Sequence, residues 1–310
     1  MRYAAIADVH GNMPALEAVV ADAKARGAEA FLFLGDYYGD LPYPNEVVDL
    51  VRALGGEAIL GNKEGYLLEL AKQDPTRWTD EQFSALYWGY RTLRPENLRY
   101  LSSLPPETDK RIEGVRLRAS HQARRYFSDT NLMRLGSRTY ALRMRERPFS
   151  HVEYLDYIVE LTRNDAVFHE RIKVLGGGVF VFGHSHIQWH LRVENTLLFN
   201  PGSCGLPLDF DTRAPYMLLD FTNGDVEIEE RRVVYPVGQV IETLRASPIY
   251  ECSPLWSEMV IRQLTNAEER ASFFLMAIEE LAVKMNRPIK HPFDNDVWRE
   301  AGERWLAENR

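Results

Sequence analysis

The sequence predicts an α/β protein with two β-sheets, and three observations lead to this prediction. In the first third of the chain, short apolar runs alternate with segments whose apolar residues recur at helical spacing. Between residues 191 and 233 the pattern is that of consecutive strands joined by turn residues, and after Pro236 only helical patterns follow. We therefore expect a parallel sheet, a second mixed sheet and a helical C-terminal region.

The first third of the chain predicts two strand–helix units followed by a third strand. The apolar run at residues 4–7 is the first strand, and Asn12 can cap the helix that follows it. The second strand, residues 31–34, leads through a loop to Pro44, a residue favoured in the first turn of a helix. A third strand ends at Leu60. Alternation of this kind is typical of parallel strands.

The middle of the chain predicts two helical blocks with a hairpin between them. Residues 64–103 have a helical pattern, and residues 79–82 form a capping-box pattern within it. Residues 108–119 predict a hairpin that turns at Glu113-Gly114. A second helical block, residues 122–173, contains another capping-box pattern at residues 150–153 and precedes the next predicted strand.

These segments predict one domain with a helical insertion and a helical extension. Residues 1–235 hold all the predicted strands, and an insertion of about residues 122–175 interrupts them. Residues 236–310 are predicted to be helical, and apolar residues keep a 3.6-residue period after Asn266. Because no low-complexity linker precedes this extension, we expect it to pack on the core.

Composition and charge limit the classes of function. Hydrophobic residues make up 45% of the 310 residues and charged residues 26%, as in ordinary globular proteins. The net charge of -8 argues against extended nucleic-acid binding, which depends on many Lys and Arg contacts to phosphates.

No apolar run approaches the roughly 18 residues of a membrane-spanning helix, and no signal-peptide pattern follows Met1. We therefore expect no membrane partner and a cytoplasmic location. Cys204 and Cys252 form no CxxC pair, which argues against a disulfide framework or a zinc–thiolate site.

Side chains able to ligate metal follow five of the predicted strands, at the point where each strand ends. They are Asp8, His10, Asp36, Asn62, His121, His184 and His186. Because the carboxyl ends of parallel strands converge on one crevice, we expect these donors to lie together. Mixed oxygen and nitrogen donors without thiolate suit Mn, Fe, Co, Ni or Zn and do not suit an all-oxygen calcium cage. The set predicts two divalent ions about 3.5–4 Å apart, with Asp36 as the bridging ligand.

Five short motifs occur in a fixed order along the chain. They are Asp8-Val9-His10, Gly35-Asp36, Gly61-Asn62, Ser120-His121 and Gly183-His184-Ser185-His186. In this order they resemble the signature of the calcineurin-like metallophosphoesterases, over roughly residues 1–235. The segments Asn200-Pro201-Gly202-Ser203 and Gly205-Leu206-Pro207 further resemble the bacterial and archaeal phosphodiesterase-like branch of that superfamily. The resemblance implies a four-layer αββα sandwich of two mixed sheets and identifies residues 1–235 as a metallophosphoesterase domain.

The resemblance also implies a ligand set for each ion and a set of catalytic residues. One ion would be held by Asp8, His10, Asp36 and His186, and the other by Asp36, Asn62, His121 and His184; the catalytic residues would be Asp36, Asn62, Lys63 and His121. Two positions depart from the family pattern. Lys63 stands where many members have a histidine that donates a proton to the leaving group, and Ser120 stands where glycine is usual. An ammonium group can still neutralise charge that develops on the phosphate or on the leaving oxygen.

These residues predict a dinuclear-metal phosphoesterase that acts on a small phosphorylated substrate. Hydrolysis of a phosphodiester by a metal-bound hydroxide is the leading hypothesis, with Mn among the expected metals. Hydrolysis of dinucleoside polyphosphates or phosphomonoesters is the alternative among enzymes. A catalytically weak scaffold module of the same fold is the alternative outside them. We leave open whether the protein forms a homo-oligomer.

The insertion is rich in arginine, although the protein is acidic overall. Arg124 and Arg125 directly follow the motif at His121, so either guanidinium could bind the phosphate through two hydrogen bonds. On a helix, Arg134, Arg138 and Arg145 would share one face. We predict a helical cap whose arginines select an anionic substrate. The alternative is a solvent-exposed charged face, which is the usual role of such a pattern.

Overall fold

Two five-stranded sheets form the centre of the computed structural model, which describes residues 1–146 and 150–309. The strands are β1 (Arg2–Ile6), β2 (Ala30–Phe33), β3 (Glu57–Ala58), β4 (Glu107–Ile112), β5 (Val115–Ser120), β6 (Gly178–Val181), β7 (Gln188–Val193), β8 (Thr196–Pro201), β9 (Ala214–Thr222) and β10 (Asp225–Val233). The first sheet has the order β10-β9-β1-β2-β3, with β1, β2 and β3 parallel. The second has the order β4-β5-β6-β8-β7, with β5, β6 and β8 parallel and the two edge strands antiparallel to them. β9 is antiparallel to β1, and β10 is antiparallel to β9, so both sheets are mixed. The expectation of a purely parallel first sheet is therefore wrong, whereas the two mixed sheets and the β4–β5 hairpin are confirmed.

The helices surround these sheets. They are α1 (Met13–Ala25), α2 (Pro44–Leu54), α3 (Asn62–Leu70), α4 (Ser84–Thr92), α5 (Pro95–Ser103), α6 (Arg124–Phe127), α7 (Ser137–Glu146), α8 (His151–Arg163), α9 (Ala166–Leu175), α10 (Val237–Arg245), α11 (Pro248–Cys252), α12 (Pro254–Asn266), α13 (Ala271–Lys284) and α14 (Asn295–Glu308). Within these described residues, no helix is both long and apolar enough to pass through a bilayer.

The side chains of each strand alternate between the two faces of its sheet, as a pleated strand requires. In the first sheet, Leu32 packs between the sheets, whereas Ile6 and Phe33 pack against α1, α2 and the C-terminal helices. In the second sheet, Val181 packs between the sheets and Phe180 packs against the helices of the insertion. The layers therefore follow the order helix, sheet, sheet, helix. This confirms the predicted four-layer αββα sandwich with its helical insertion and helical C-terminal extension.

Two predicted helix caps form and a third does not. The side chain of Asn12 accepts a hydrogen bond at the start of α1, and Ser150 forms a capping box at the start of α8. The capping-box interpretation of residues 79–82 is wrong. The backbone N–H of Glu81 instead donates to Asn295 Oδ1 of α14, at 2.9 Å. A side chain of the extension has replaced the local cap.

The extension contributes aromatic side chains to the layer that covers the first sheet. Phe274 of α13 makes edge-to-face contacts with both Trp298 and Trp305 of α14, with 5.3 Å between ring centroids in each case. These three rings belong to the same buried cluster as Val47 of α2. A domain boundary near residue 235 stays a prediction, because the extension shares its core with the helices of the preceding residues.

A buried carboxyl group beside α13 leads to an expected pH dependence of stability. Burial raises the pKa of Glu269 to about 7, although the Ser272 N–H donates to its Oε1 at 2.8 Å. As the pH rises from about 4.5 to 7, the unfolded chain releases this proton while the folded protein keeps it, so stability falls by up to about 3 kcal/mol. Glu269→Gln removes this loss. Relative to wild type, the variant should therefore gain about 3 kcal/mol in free energy of unfolding between pH 4 and pH 8, measured by urea denaturation. If the difference in free energy of unfolding between the variant and wild type does not change with pH, the expectation is wrong.

Candidate metal centre

The carboxyl ends of both sheets meet at one edge of the sandwich and bring all seven predicted donors together. Asp8 and His10 follow β1, Asp36 follows β2, Asn62 begins α3, His121 follows β5, and His184 and His186 follow β6. Five of these residues, Asp8, His10, Asp36, His184 and His186, have left-handed backbones with φ between +52° and +69°. Residues other than glycine rarely adopt this conformation, and such strain clusters at functional sites. The assignment of each donor to a particular ion stays a prediction.

One group of candidate ligands comprises Asp8, His10 and His186. The Nδ1 atom of His10 donates to Asp40 Oδ2 at 2.6 Å, and that of His186 donates to the carbonyl oxygen of Leu206 at 2.8 Å. These bonds leave both Nε2 atoms as acceptors, and they face each other at 3.1 Å. Two lone pairs at this distance repel each other unless a cation lies between them. The arrangement therefore fits a metal ion.

A second group comprises Asp8, Asp36 and His121, with Asn62 and His184 close by. His121 Nδ1 donates to the carbonyl oxygen of Leu34 at 2.7 Å, so its Nε2 is an acceptor. That Nε2 lies 2.9 Å from Asn62 Oδ1, which is also an acceptor. His184 Nδ1 lies 2.8 Å from the same oxygen. The close approach of two acceptor atoms, His121 Nε2 and Asn62 Oδ1, again fits a cation.

Asp36 lies between the two groups. Its Oδ2 is 3.7 Å from His10 Nε2 and 3.6 Å from His121 Nε2. Its Oδ1 accepts a hydrogen bond from the backbone N–H of Lys63 at 2.8 Å, which fixes the carboxylate plane and leaves Oδ2 directed at both groups. This is the position that a bridging carboxylate requires.

The electrostatics of the crevice also fit metal ions. Burial, followed by the charge of Asp36, raises the pKa of Asp8 well above its usual range. Two adjacent buried carboxylates therefore need a positive charge nearby if both are to stay ionised. Burial lowers the pKa of His184 to about 4 and that of His186 well below its usual value. Both imidazoles are therefore neutral near pH 7, the form that binds metals.

Sequence reasoning missed two buried carboxyl groups that organise the centre. Asp40 holds His10 and also lies 2.9 Å from Lys63 Nζ. Glu64 accepts hydrogen bonds from the backbone N–H groups of Asp36, Tyr37 and Gly61, at 2.8, 3.0 and 2.9 Å. It thus holds the ends of β2 and β3 together. The repeated Gly-Asp dipeptide of the segment Gly35-Asp36-Tyr37-Tyr38-Gly39-Asp40 was a signal that could have pointed to Asp40.

Two cavities adjoin the candidate ligands, and His184 lines both. The larger, of about 750 Å³, is bounded by insertion residues including Arg124 and Arg134. The smaller, of about 150 Å³, lies between the ligands and α12, and Lys63 lines it. The centre therefore adjoins a large cavity on the side of the insertion and a small one on the side of the extension.

The arginines of the insertion have different surroundings. Arg125 is exposed and forms a two-point ion pair with Glu107, and within the described chain it is not among the residues that line the larger cavity. Arg138 forms a similar pair with Glu279 of α13, with N–O distances of 2.8 and 2.6 Å. The side chain of Arg145 lies outside the described residues. Among the predicted cap arginines whose side chains the structure describes, Arg124 and Arg134 line a cavity.

A four-layer αββα sandwich with oxygen and nitrogen donors gathered at the carboxyl ends of its sheets defines the class of metallophosphoesterases. The family model for the calcineurin-like phosphoesterase superfamily domain matches residues 1–224. The chain belongs to this superfamily, as the sequence motifs predicted. Membership supports hydrolysis of phosphoric esters with divalent metals.

Proteins similar to this chain include archaeal and bacterial ones. It is 29% identical over 256 residues to the uncharacterized protein MJ0912 of Methanocaldococcus jannaschii, a match that covers 78% of this chain and 90% of that protein. The crystal structure of a metallophosphoesterase from Sphaerobacter thermophilus has a TM-score of 0.58 and 24% identity, and the match covers 86% of this chain and 98% of that one. The structure of the hypothetical protein PH1004 from Pyrococcus horikoshii has a TM-score of 0.56 and 19% identity. The match covers 85% of this chain and 97% of that one. These likenesses show the shared fold.

Proposed function

We propose that the protein is a dinuclear-metal phosphoesterase whose main substrates are phosphodiesters. The observation that carries this proposal is the position of Asp36 Oδ2, 3.7 and 3.6 Å from one imidazole nitrogen of each ligand group. One carboxylate that serves two groups of donors supports two ions, and two adjacent ions clamp both the attacking and the leaving oxygen of a phosphoryl displacement.

The ions would be Mn, Fe, Co, Ni or Zn, which share a preference for imidazole, carboxylate and amide donors. When bound, they would polarise the phosphoryl oxygens and lower the pKa of a water molecule that attacks phosphorus. In the proposed mechanism the chain would hold them through the two ligand sets that the resemblance implies. Lys63, tied to Asp40 at 2.9 Å, supplies a fixed positive charge next to the leaving oxygen.

The two cavities favour a diester over a monoester. A phosphodiester carries an ester group on each side of phosphorus, and His184 lines both cavities. One ester group would enter the larger cavity and the other the smaller one. A phosphomonoester would leave one of the two empty.

A metal-reconstituted activity screen tests the proposed function. The protein is stripped with a chelator, reloaded separately with Mn, Fe, Co, Ni or Zn, and assayed on bis(p-nitrophenyl) phosphate, p-nitrophenyl phosphate and a dinucleoside polyphosphate. We expect metal-dependent turnover with the highest kcat/KM on the diester. A higher kcat/KM on the monoester or on the dinucleoside polyphosphate would show that this class, and not the diester, is the main substrate. Absence of turnover with every metal would favour the scaffold alternative.

Two adjacent arginines provide a matched test of substrate binding. Arg124 lines the larger cavity, whereas the guanidinium of Arg125 is engaged by Glu107. Loss of one charge-assisted hydrogen bond costs about 1.5–3 kcal/mol, or roughly a tenfold or larger change in binding. Arg124→Ala should therefore raise KM about tenfold for a diester with a further phosphate group. Arg125→Ala should leave it unchanged. If KM moves in neither variant, the insertion does not select anionic substrates.

A further inference from the structure

Residues beyond the family-matched region reach the candidate metal centre. The family model ends at residue 224, whereas α12 begins at Pro254. Trp256 of this helix donates a hydrogen bond from its indole Nε1 to Asp40 Oδ1, at 2.7 Å. Met259 and Val260, on the same helix, line the smaller cavity together with His10 and Lys63. The extension therefore forms one wall of the centre.

Asp40 is the residue through which Trp256 contacts the centre. Its carboxylate is 3% exposed and accepts hydrogen bonds from three side chains. Oδ2 accepts from His10 Nδ1 and lies 2.9 Å from Lys63 Nζ, while Oδ1 lies 3.0 Å from the same Nζ and accepts from the indole of Trp256. The three donors approach from three different elements of the fold. Together they allow one orientation of the carboxylate.

The orientation of Asp40 decides what His10 presents to a metal. Because Asp40 holds the proton of His10 on Nδ1, the Nε2 lone pair is directed at His186 and the carboxylates. A carboxylate that hydrogen-bonds a ligating imidazole fixes its tautomer and raises its basicity. Without the indole, Oδ1 would lose one of its two donors, and the carboxylate that orients His10 would be held less firmly.

Trp256 is itself held in place by the extension. Its ring lies 6.2 Å from Phe274 of α13 and 6.4 Å from Trp298 of α14, measured between centroids. Lys63 Nζ lies 5.9 Å from the centroid of its ring, so the indole also limits the movement of that side chain. The aromatic cluster thus connects three C-terminal helices to the carboxylate behind a candidate ligand.

We propose that Trp256 is a positioning residue and that the C-terminal extension is in this way an integral part of the metal centre. Trp256 acts through Asp40 to orient His10 and Lys63. The inference rests on the proposed function, since it assumes that His10 binds a divalent ion.

A pair of tryptophan substitutions tests this inference. Trp256→Phe removes the indole donor and keeps an aromatic ring. Trp298→Phe makes the same change in the same cluster, at a residue that is 2% exposed and packs against Trp256 and Phe274. Binding of Mn²⁺ to each metal-stripped full-length protein is measured by calorimetry, with thermal unfolding as a check on folding. Should Trp256→Phe fail to fold, Trp256→Tyr takes its place in the same comparison.

We expect Trp256→Phe to raise the Kd of one Mn²⁺ site about tenfold, the lower end of the effect of losing an outer-shell partner. Trp298→Phe should lower Tm by at least as much as Trp256→Phe does. It should leave both Kd values within about twofold of wild type, since, among the described residues, Trp298 is not a hydrogen-bond partner of Asp40. Unchanged affinity in Trp256→Phe, or equal losses in the two variants, would overturn the inference while leaving the proposed function intact. A wild-type protein that binds no Mn²⁺ would overturn both.

Discussion

Asp36→Asn is expected to abolish metal-dependent hydrolysis, with kcat reduced about a thousandfold or more. A carboxamide lacks the negative charge that offsets two cations, and it presents one oxygen where the carboxylate presents two. The fold should survive, because the carboxamide oxygen can still accept the Lys63 N–H and asparagine tolerates the left-handed backbone of this position, φ +54°.

The measurement is kcat on bis(p-nitrophenyl) phosphate with saturating metal, together with Tm. Asp109→Asn is the matched control, because Asp109 forms a surface ion pair with Arg116 at 2.7 Å. It should retain full activity. Undiminished turnover in Asp36→Asn would exclude the bridging role and with it the two-metal mechanism.

Glu64→Leu should cause the largest loss of stability among the residues of the centre. The side chain is fully buried, and its carboxyl group accepts three backbone N–H groups from the ends of β2 and β3. Leucine has a similar size and no acceptor, so it leaves three buried donors unpaired. At about 1–3 kcal/mol for each such group, the free energy of unfolding should fall by roughly 3 kcal/mol or more.

Urea denaturation of the metal-free protein measures this loss without any contribution from bound ions. Glu64→Gln, which keeps one acceptor oxygen, should lie between leucine and wild type. Glu69→Leu, on the exposed face of the same helix, should change the free energy of unfolding by less than about 0.5 kcal/mol. A loss below 1 kcal/mol in Glu64→Leu would show that these N–H groups find other partners.

The candidate ligands were predictable because each follows a local pattern. An apolar run that ends at Asp8, Asp36 or His184 identifies a strand and its carboxyl end within about ten residues of sequence. The convergence of such ends is a general property of α/β sheets. The helical insertion was predictable for a similar reason, since amphipathic periodicity is also local.

The residues behind the ligands were not predictable, because only tertiary packing defines their partners. Trp256 and Asp40 are separated by 216 positions, and each looks ordinary in its own segment. Asn295 likewise replaces a local cap at Glu81 from 214 positions away. The same limit applies to Arg124 and Arg125, which are neighbours in sequence but differ in partner because Glu107 of β4 lies beside only the second.

The left-handed backbone at five candidate ligands lowers the stability of the folded protein at positions whose side chains the proposed metal centre needs. Each such residue costs of order 1–3 kcal/mol, which glycine would largely avoid. Replacing His184 or His186 by glycine would therefore relieve strain in the metal-free protein and remove an imidazole in the same step. The metal-free protein therefore carries this backbone cost without the metal contacts that its side chains could make, and bound metal ions would offset part of it.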